Sequence, residues 1–476
     1  MSVEAQVNPR LAALTEAGVS VWLDQIRRGL IEGGELQRLI DAYSLRGVTS
    51  NPAIFEKAIL GSDDYDSELE TLAKEGLDAR GIYDRISIGD VQLAADVLRP
   101  VHDSLEGADG FVSLEVGPEL ARDTDGTLAE ARRLWQAVDR PNVMIKIPGT
   151  DEGVPAIEEA IYEGINVNVT LLFAVEAYVQ VAEAFIRGLE RRQEEGKGID
   201  VHSVASFFVS RVDSEVDKRL EAAGRADLQG TAAVANARAA YQRFKEIFRG
   251  ERFAGLAGAG AKVQRPLWAS TGVKNPHYPE TKYVDELVAP DTVNTMPMQT
   301  LLAAAERSEV TGATADQDPS AELSALAEAG IDLADVTAKL LEDGIKLFQV
   351  AMDGLIEGVD DRRDAVVTSR PPTMQASIPP ELEGPIAERV RKAVGEQVAQ
   401  RVWRKDVTLW GPEGTPEVEN RLGWLTISEP MLEQAGDLRD FADEVKADGF
   451  TDCALLGMGG SSLGPEVIRR TFGEIE

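Results

Sequence analysis

The chain has 476 residues, with 82 Asp and Glu against 49 Lys and Arg, for a formal net charge of −33. This acidity excludes nucleic acid and anionic membranes as main partners, because both need a basic face, and it admits an anionic small substrate only if a few cations share one pocket. At 43% hydrophobic residues, with no apolar signal core at the N-terminus and glutamates breaking the most apolar stretch, the expectation is a soluble cytoplasmic protein with a large packed core.

Period-2 apolar runs predict strands at 19–24, 47–50, 111–116, 143–148, 165–172, 203–209, 265–270 and 291–296. Helical spacing falls between them, at 25–42, 86–106, 127–138, 173–190, 211–222 and 227–248. Strand and helix alternate until eight strands are reached, which predicts an α/β fold of the (β/α)8 TIM-barrel kind over 1–368. Residues 321–358 read as further helix, whose stripe Val336, Leu340, Phe348, Met352 and Leu355 is expected to pack on the barrel. The proline-rich stretch 369–380 reads as a linker. Residues 381–476 then hold helix-like segments and, at the end, a strand, a glycine-rich turn and a helix start. One strand cannot make a parallel sheet, so this segment reads as the incomplete opening of a second α/β domain.

Alternation along the strands sorts side chains toward the helices or toward the barrel interior. Val143, Ile145 and Ile147 take the outer face of VMIKIP, which leaves Lys146 inside. The same phase turns Asp24, Thr49, Asn51, Ser113, Glu115, Asn166, Asn168, Thr170, Ser206 and Ser270 inward, with Leu171 outward. Polar side chains therefore gather toward the C-terminal strand ends, where barrel active sites lie.

With one cysteine (Cys453), three histidines (His102, His202, His277), no metal-ligand spacing and no nucleotide fingerprint in the barrel, Lys146 is the obvious nucleophile. A lysine enclosed by apolar side chains loses stabilisation of its charged form, as attack on a carbonyl requires. The carboxylates oppose this: a unit charge about 4 Å away is worth ~4 kcal/mol at an effective dielectric of about 20. Asp24 and Glu115 therefore cannot both sit as bare anions against a neutral amine; at least one is expected to act through water or from behind Asn and Thr side chains. Their suitable work is proton transfer around a carbonyl, which describes a Schiff-base carbon–carbon lyase or transferase.

The motifs GVTSNPAIF (47–55), IKIPGT (145–150), INVNVTLLF (165–173), SFFVSRVD (206–213) and WASTGVKNP (268–276) resemble transaldolase of the longer bacterial type, over about residues 10–365. The resemblance implies a barrel of class I aldolase type, without cofactor or metal, that carries a dihydroxyacetone unit from sedoheptulose 7-phosphate to glyceraldehyde 3-phosphate. Lys146 would form the Schiff base, Asp24 would be the general acid/base, and Glu115 and Thr170 would position water. Thr49, Asn51, Asn168 and Ser206 would hold the dihydroxyacetone moiety. Arg211, Ser270 and Lys274 would take the phosphate; many relatives have Arg shortly after that serine, where Lys274 is the nearest cation here.

At the C-terminal end, LLGMGGSSLGPEV (455–467) resembles the phosphosugar-binding turn near the start of glucose-6-phosphate isomerase, with Gly459, Gly460 and Ser461 as contacts and Ser462 where many isomerases have Asp. This implies a transaldolase–isomerase fusion cut short, with no isomerase activity expected from this chain alone. Competing readings are a fructose-6-phosphate or deoxyribose-phosphate aldolase with the same lysine chemistry, an isomerase with the barrel as scaffold, and a binding module. Chain length and the NPAIF and STGVKNP motifs favour the transferase, the polar barrel interior and the missing remainder of the isomerase disfavour the scaffold reading, and an inward lysine between two carboxylates disfavours a binding module. Sugar phosphates are the expected partners, and the sequence does not speak to oligomeric state.

Overall fold

In the computed structural model, which describes residues 7–368 and, with gaps, 385–450, the predicted alternation closes on itself. Parallel strands β1 (Val19–Leu23), β2 (Leu45–Val48), β3 (Phe111–Glu115), β4 (Val143–Pro148), β5 (Val167–Leu172), β6 (Ser203–Phe208), β7 (Arg265–Ala269) and β8 (Thr292–Met296) pair in chain order, and β8 returns to β1. This is the expected (β/α)8 barrel. Each predicted strand is present, and β2 begins two residues earlier than its apolar run suggests.

The first half of the chain supplies α1 (Pro9–Glu16), α2 (Arg28–Glu32), α3 (Glu35–Tyr43), α4 (Pro52–Leu60), α5 (Asp66–Lys74), α6 (Ala79–Ser104), α7 (Thr124–Val138) and α8 (Gly153–Glu163). The second supplies α9 (Val175–Glu194), α10 (Ser210–Ala222), α11 (Ala232–Phe248), α12 (Glu251–Gly258), α13 (Lys282–Asp285), α14 (Met298–Arg307), α15 (Ser320–Glu328) and α16 (Leu333–Thr368). Local chemistry sets several of their ends. Asn51, Asp78 and Asp123 accept the orphan N–H groups of Ile54, Gly81 and Gly126 at the starts of α4, α6 and α7. Pro52 sits at the first turn of α4, where its missing N–H costs nothing.

Two predicted helices are each two. Residues 25–42 break at Gly33–Gly34, with Gly34 at φ 79°, and residues 321–358 break at Gly330, with φ 81°. The segment 227–248 is a helical turn (Ala226–Leu228) followed by α11. Periodicity alone does not register such breaks, because a left-handed glycine changes chain direction without disturbing the apolar pattern on either side.

The lower barrel interior is plugged. Trp22 is fully buried and faces Gly47 on β2, where an added Cβ would fall 2.4 Å from the indole ring. Asp109 accepts from Ser20, from Trp22 Nε1 (2.9 Å) and from Arg265 (3.1 Å), so this end is closed by a satisfied polar network. Asn166 stitches strand starts: it donates to Pro141 O and Val143 O and accepts from His202 N. Helix α16 packs against α4, α5 and α6, and all five residues of its predicted stripe are buried. No helix among the described residues is long and apolar enough to cross a membrane.

The chain divides into two compact units near residue 374. The second contains helices Val398–Trp403, Ser428–Glu433 and Ala435–Ala447, with helical turns at Val407–Leu409 and Leu422–Leu425. Within it Arg401 pairs with Asp406 at 2.7 Å, and Trp403, Trp410, Phe441 and Phe450 are exposed. The linker 369–380 and the turn carrying Gly459, Gly460 and Ser461 lie outside the described residues.

Candidate active site

At the C-terminal ends of the strands opens a cavity of about 350 Å³, lined by Asp24, Thr49, Asn51, Lys146, Ser206, Arg211, Ser270 and Lys274, among others. Lys146 is only 4% exposed. Its Nζ donates to the Ser50 carbonyl at 3.1 Å and lies 3.4 Å from Glu115 Oε2. The parallel register explains the meeting: Glu115 pairs with Lys146 across β3 and β4, and Lys146 with Asn168 across β4 and β5, so the three share one level of the barrel.

A chain of hydrogen bonds ties that level together. Asn168 Nδ2 donates to Ser113 Oγ (2.9 Å), and Ser206 Oγ donates to Asn168 Oδ1 (2.7 Å). On the far side, Thr49 Oγ1 donates to Asp24 Oδ1 (2.6 Å) and lies 2.7 Å from Thr295 Oγ1. Thr170 Oγ1 and Arg211 Nη1 are buried without a hydrogen-bond partner among the described residues, and Glu115 Oε2 has the Lys146 amine beside it. Unlike Lys146 and Asp24, Glu115, Asn168 and Thr170 are not part of the open lining. Glu115 and Asn168 reach it through Lys146 and Ser206.

Burial pushes the Glu115 carboxyl up to about 7, with the Lys146 charge and hydrogen bonding pulling the other way. Burial also raises Asp24, against the charge of Lys146, the Thr49 hydrogen bond, and the charges of Arg211 and Lys274. The carboxylate–amine conflict expected from the sequence is thus eased by protonation, not by distance alone: Glu115 touches Lys146 directly and readily holds a proton near neutrality. Three cations surround Asp24, which gathers positive charge within an acidic chain. Among the described residues no group of three or more His, Cys, Asp or Glu side chains is arranged to hold a metal ion.

Two positions depart from simple alternation. Ser206 pairs with Leu267, so Leu267 and Ala269 share its inward face, and Trp268 points outward and donates to Leu287 O. Alternation would therefore turn Ser270 outward. It reaches the cavity because its φ of 55° turns the chain, and its Oγ lies 3.0 Å from Ser210 Oγ. On β5 the pairing with β6 shifts between Val169 and Leu172, and Leu171 has φ 58°. Leu171, expected on the outer face, lies against Gly344 of α16. Left-handed backbone at a non-glycine residue costs about 1–3 kcal/mol and concentrates at functional sites.

The transaldolase/fructose-6-phosphate aldolase family matches residues 21–359, from within β1 through the greater part of α16. The chain belongs to this family. It is 49% identical over 365 residues to a transaldolase of Saccharopolyspora erythraea, covering 75% of this chain and 98% of that protein. It is 50% identical over 356 residues to a transaldolase of Thermobifida fusca, covering 73% and 97%. A transaldolase of Mycobacterium tuberculosis is 48% identical over 358 residues, covering 74% and 96%.

Within this family member the cavity brings together the predicted Asp24, Thr49, Asn51, Lys146, Ser206, Arg211, Ser270 and Lys274. Asn51 carries a second duty, since its Oδ1 accepts from Ile54 N as the cap of α4, which leaves its amide nitrogen for a ligand. Sequence reasoning missed Thr295, Lys57, Phe208 and Phe348, which also line the cavity. The phase of β8 could have found Thr295, because Asn294 bonds outward to Tyr283 O and its neighbour must face in. Phe348 carried no such signal, being one apolar residue in a buried stripe.

Proposed function

We propose that this chain is a transaldolase in which Lys146 forms a Schiff base with the carbonyl of a ketose phosphate. The amine attacks the carbonyl carbon, water leaves, and the iminium draws electrons from the C3–C4 bond as it breaks. Asp24 takes the proton from the C4 hydroxyl, releasing an aldose phosphate, and returns it to the acceptor aldehyde oxygen as the new bond forms. Its raised value, which makes a proton easy to hold, supports that exchange. Glu115, against the Lys146 amine, and Thr170, with a buried hydroxyl that no described protein group satisfies, suit the water lost and regained at the imine. Thr49, Asn51, Asn168 and Ser206 orient the dihydroxyacetone unit. Arg211, Ser270 and Lys274 receive the phosphate, Arg211 through a guanidinium matched to its oxygens. Sedoheptulose 7-phosphate as donor and glyceraldehyde 3-phosphate as acceptor would give erythrose 4-phosphate and fructose 6-phosphate, a non-oxidative pentose phosphate step, and the working place would be the cytoplasm.

The observation that carries this reading is the buried Lys146 side chain, its Nζ 3.4 Å from the Glu115 carboxyl, in the cavity of a family member. Borohydride reduction in the presence of fructose 6-phosphate, followed by peptide mapping, tests it. A single adduct at Lys146 is expected; an adduct elsewhere, or none, would falsify the Schiff base. Lys146→Arg is expected to abolish activity with the fold kept, and EDTA to leave the rate unchanged. Rapid release of free dihydroxyacetone without acceptor would favour the aldolase side of the family.

The barrel unit (1–368), a linker (369–380) and a C-terminal segment (381–476) form the proposed domain order. Since the relatives cover about three quarters of this chain, we read the remainder as an addition to the enzyme. Its glycine-rich turn at Gly459–Ser461 supports an origin in a glucose-6-phosphate isomerase. Glucose 6-phosphate isomerisation by this chain is expected to be absent; turnover in a coupled assay would contradict that.

A further inference from the structure

We infer that Phe348 shields the Lys146 imine from water and so sets how often the bound three-carbon unit is transferred instead of lost. The inference rests on the Schiff-base reading above. Phe348 does not come from the barrel at all: it is carried in by α16, the long helix after the eighth strand. Its ring centroid stands 5.8 Å from Lys146 Nζ, and the residue is 5% exposed. Phe208, the other aromatic lining the cavity, is engaged beneath Arg211, whose guanidinium carbon lies 5.5 Å from that ring centroid.

The helix is held against the rim close to this ring. One turn before Phe348, an added Cβ at Gly344 would stand 3.0 Å from Leu171 Cδ2 and 3.6 Å from Phe173. Leu171 is the residue turned toward α16 by the irregularity in β5. The strained strand end and the glycine together let the helix approach closely enough to bring an apolar face over a buried amine.

Around Lys146 the polar partners are Glu115 and the Ser50 carbonyl, and the apolar ring of Phe348 covers part of the remaining cavity side. The chemistry at stake is a competition. After the first aldehyde leaves, the three-carbon unit remains as an enamine on Lys146. Attack of its carbon on an acceptor aldehyde gives transfer. Protonation of that carbon instead gives an iminium. Water then adds to the iminium carbon, the C–N bond breaks with its electron pair going to nitrogen, and dihydroxyacetone leaves with the ammonium of Lys146 restored. An apolar ring over the imine hinders the second route by excluding water, and its face favours the cationic iminium that transfer also needs.

The test compares the full chain with Phe348→Ala and Phe348→Leu, using fructose 6-phosphate as donor and erythrose 4-phosphate as acceptor. The readout is free dihydroxyacetone released per transfer. A misfolded fraction lowers both rates equally and leaves this ratio alone. Phe348→Ala is expected to raise it about tenfold, and Phe348→Leu, which keeps bulk without a ring, about threefold. Should the alanine variant fail to fold, the leucine variant decides. An unchanged ratio with a borohydride adduct still formed at Lys146 overturns the role of Phe348 alone. Absence of that adduct in the unsubstituted chain overturns the Schiff base and this inference together.

Discussion

Glu115 and Lys146 meet at 3.4 Å, both buried, and the Glu115 carboxyl is under competing demands. Burial favours the neutral carboxyl, and the lysine charge favours the carboxylate. A carboxyl whose folded value is about 7 against an ordinary 4.5 stabilises the fold in its protonated form. That contribution is complete below pH 4.5 and is lost as pH rises to about 7. Glu115→Gln is therefore expected to remove a falling slope of stability across this window, measured by urea denaturation; the same slope in both proteins would contradict it. Asn51 allows a cleaner separation. Asn51→Ala removes both cap and amide and should cost about 1 kcal/mol of stability. Asn51→Asp keeps the cap oxygen, so stability should stay within about 0.5 kcal/mol while KM for the ketose phosphate rises about tenfold.

At the scale of elements, the barrel is fixed by volume as much as by hydrogen bonding. Trp22 occupies the interior opposite Gly47, and the indole has nowhere to retreat within a closed ring of strands. Gly47→Ala is expected to lower stability by about 1–3 kcal/mol, read as an earlier urea midpoint with the denaturant slope unchanged. The upper end is governed differently. There the left-handed Leu171 and Ser270 break the regular ladder, and the break aims Ser270 into the cavity and Leu171 at α16. Regular β-structure carries Lys146 and Glu115 to one level; irregular β-structure brings in the remaining wall.

Across the whole molecule, a formal charge of −33 coexists with a cavity that holds Lys57, Lys146, Arg211 and Lys274. Among the described residues most surface arginines are paired with carboxylates, as Arg132 is with Glu163 and Arg252 with Glu190, and such exposed pairs add little stability. Local concentration of cations, not the balance of the chain, is what an anionic substrate meets. The relatives carry the family without the last quarter of this chain. Truncation after Met374 is therefore expected to keep kcat/KM within about twofold, measured in the transfer assay; a larger loss would assign the C-terminal unit a part in catalysis.

The sequence by itself determined the barrel and most of its inward polar residues, among them Lys146 and Glu115, because a side-chain period of two on each strand and a helix between strands are local properties. It also determined that Lys146 was the residue to watch, since histidine and cysteine were too scarce to compete. Tertiary structure alone decided which inward residues share a level, because that depends on the register between strands far apart in the chain: Glu115 against Lys146, Lys146 against Asn168. It alone set Ser270, whose inward turn arises from one dihedral angle that alternation cannot see. And it alone brought Phe348 to the amine, because an apolar residue on a helix has the same sequence signature over a core as over an active site.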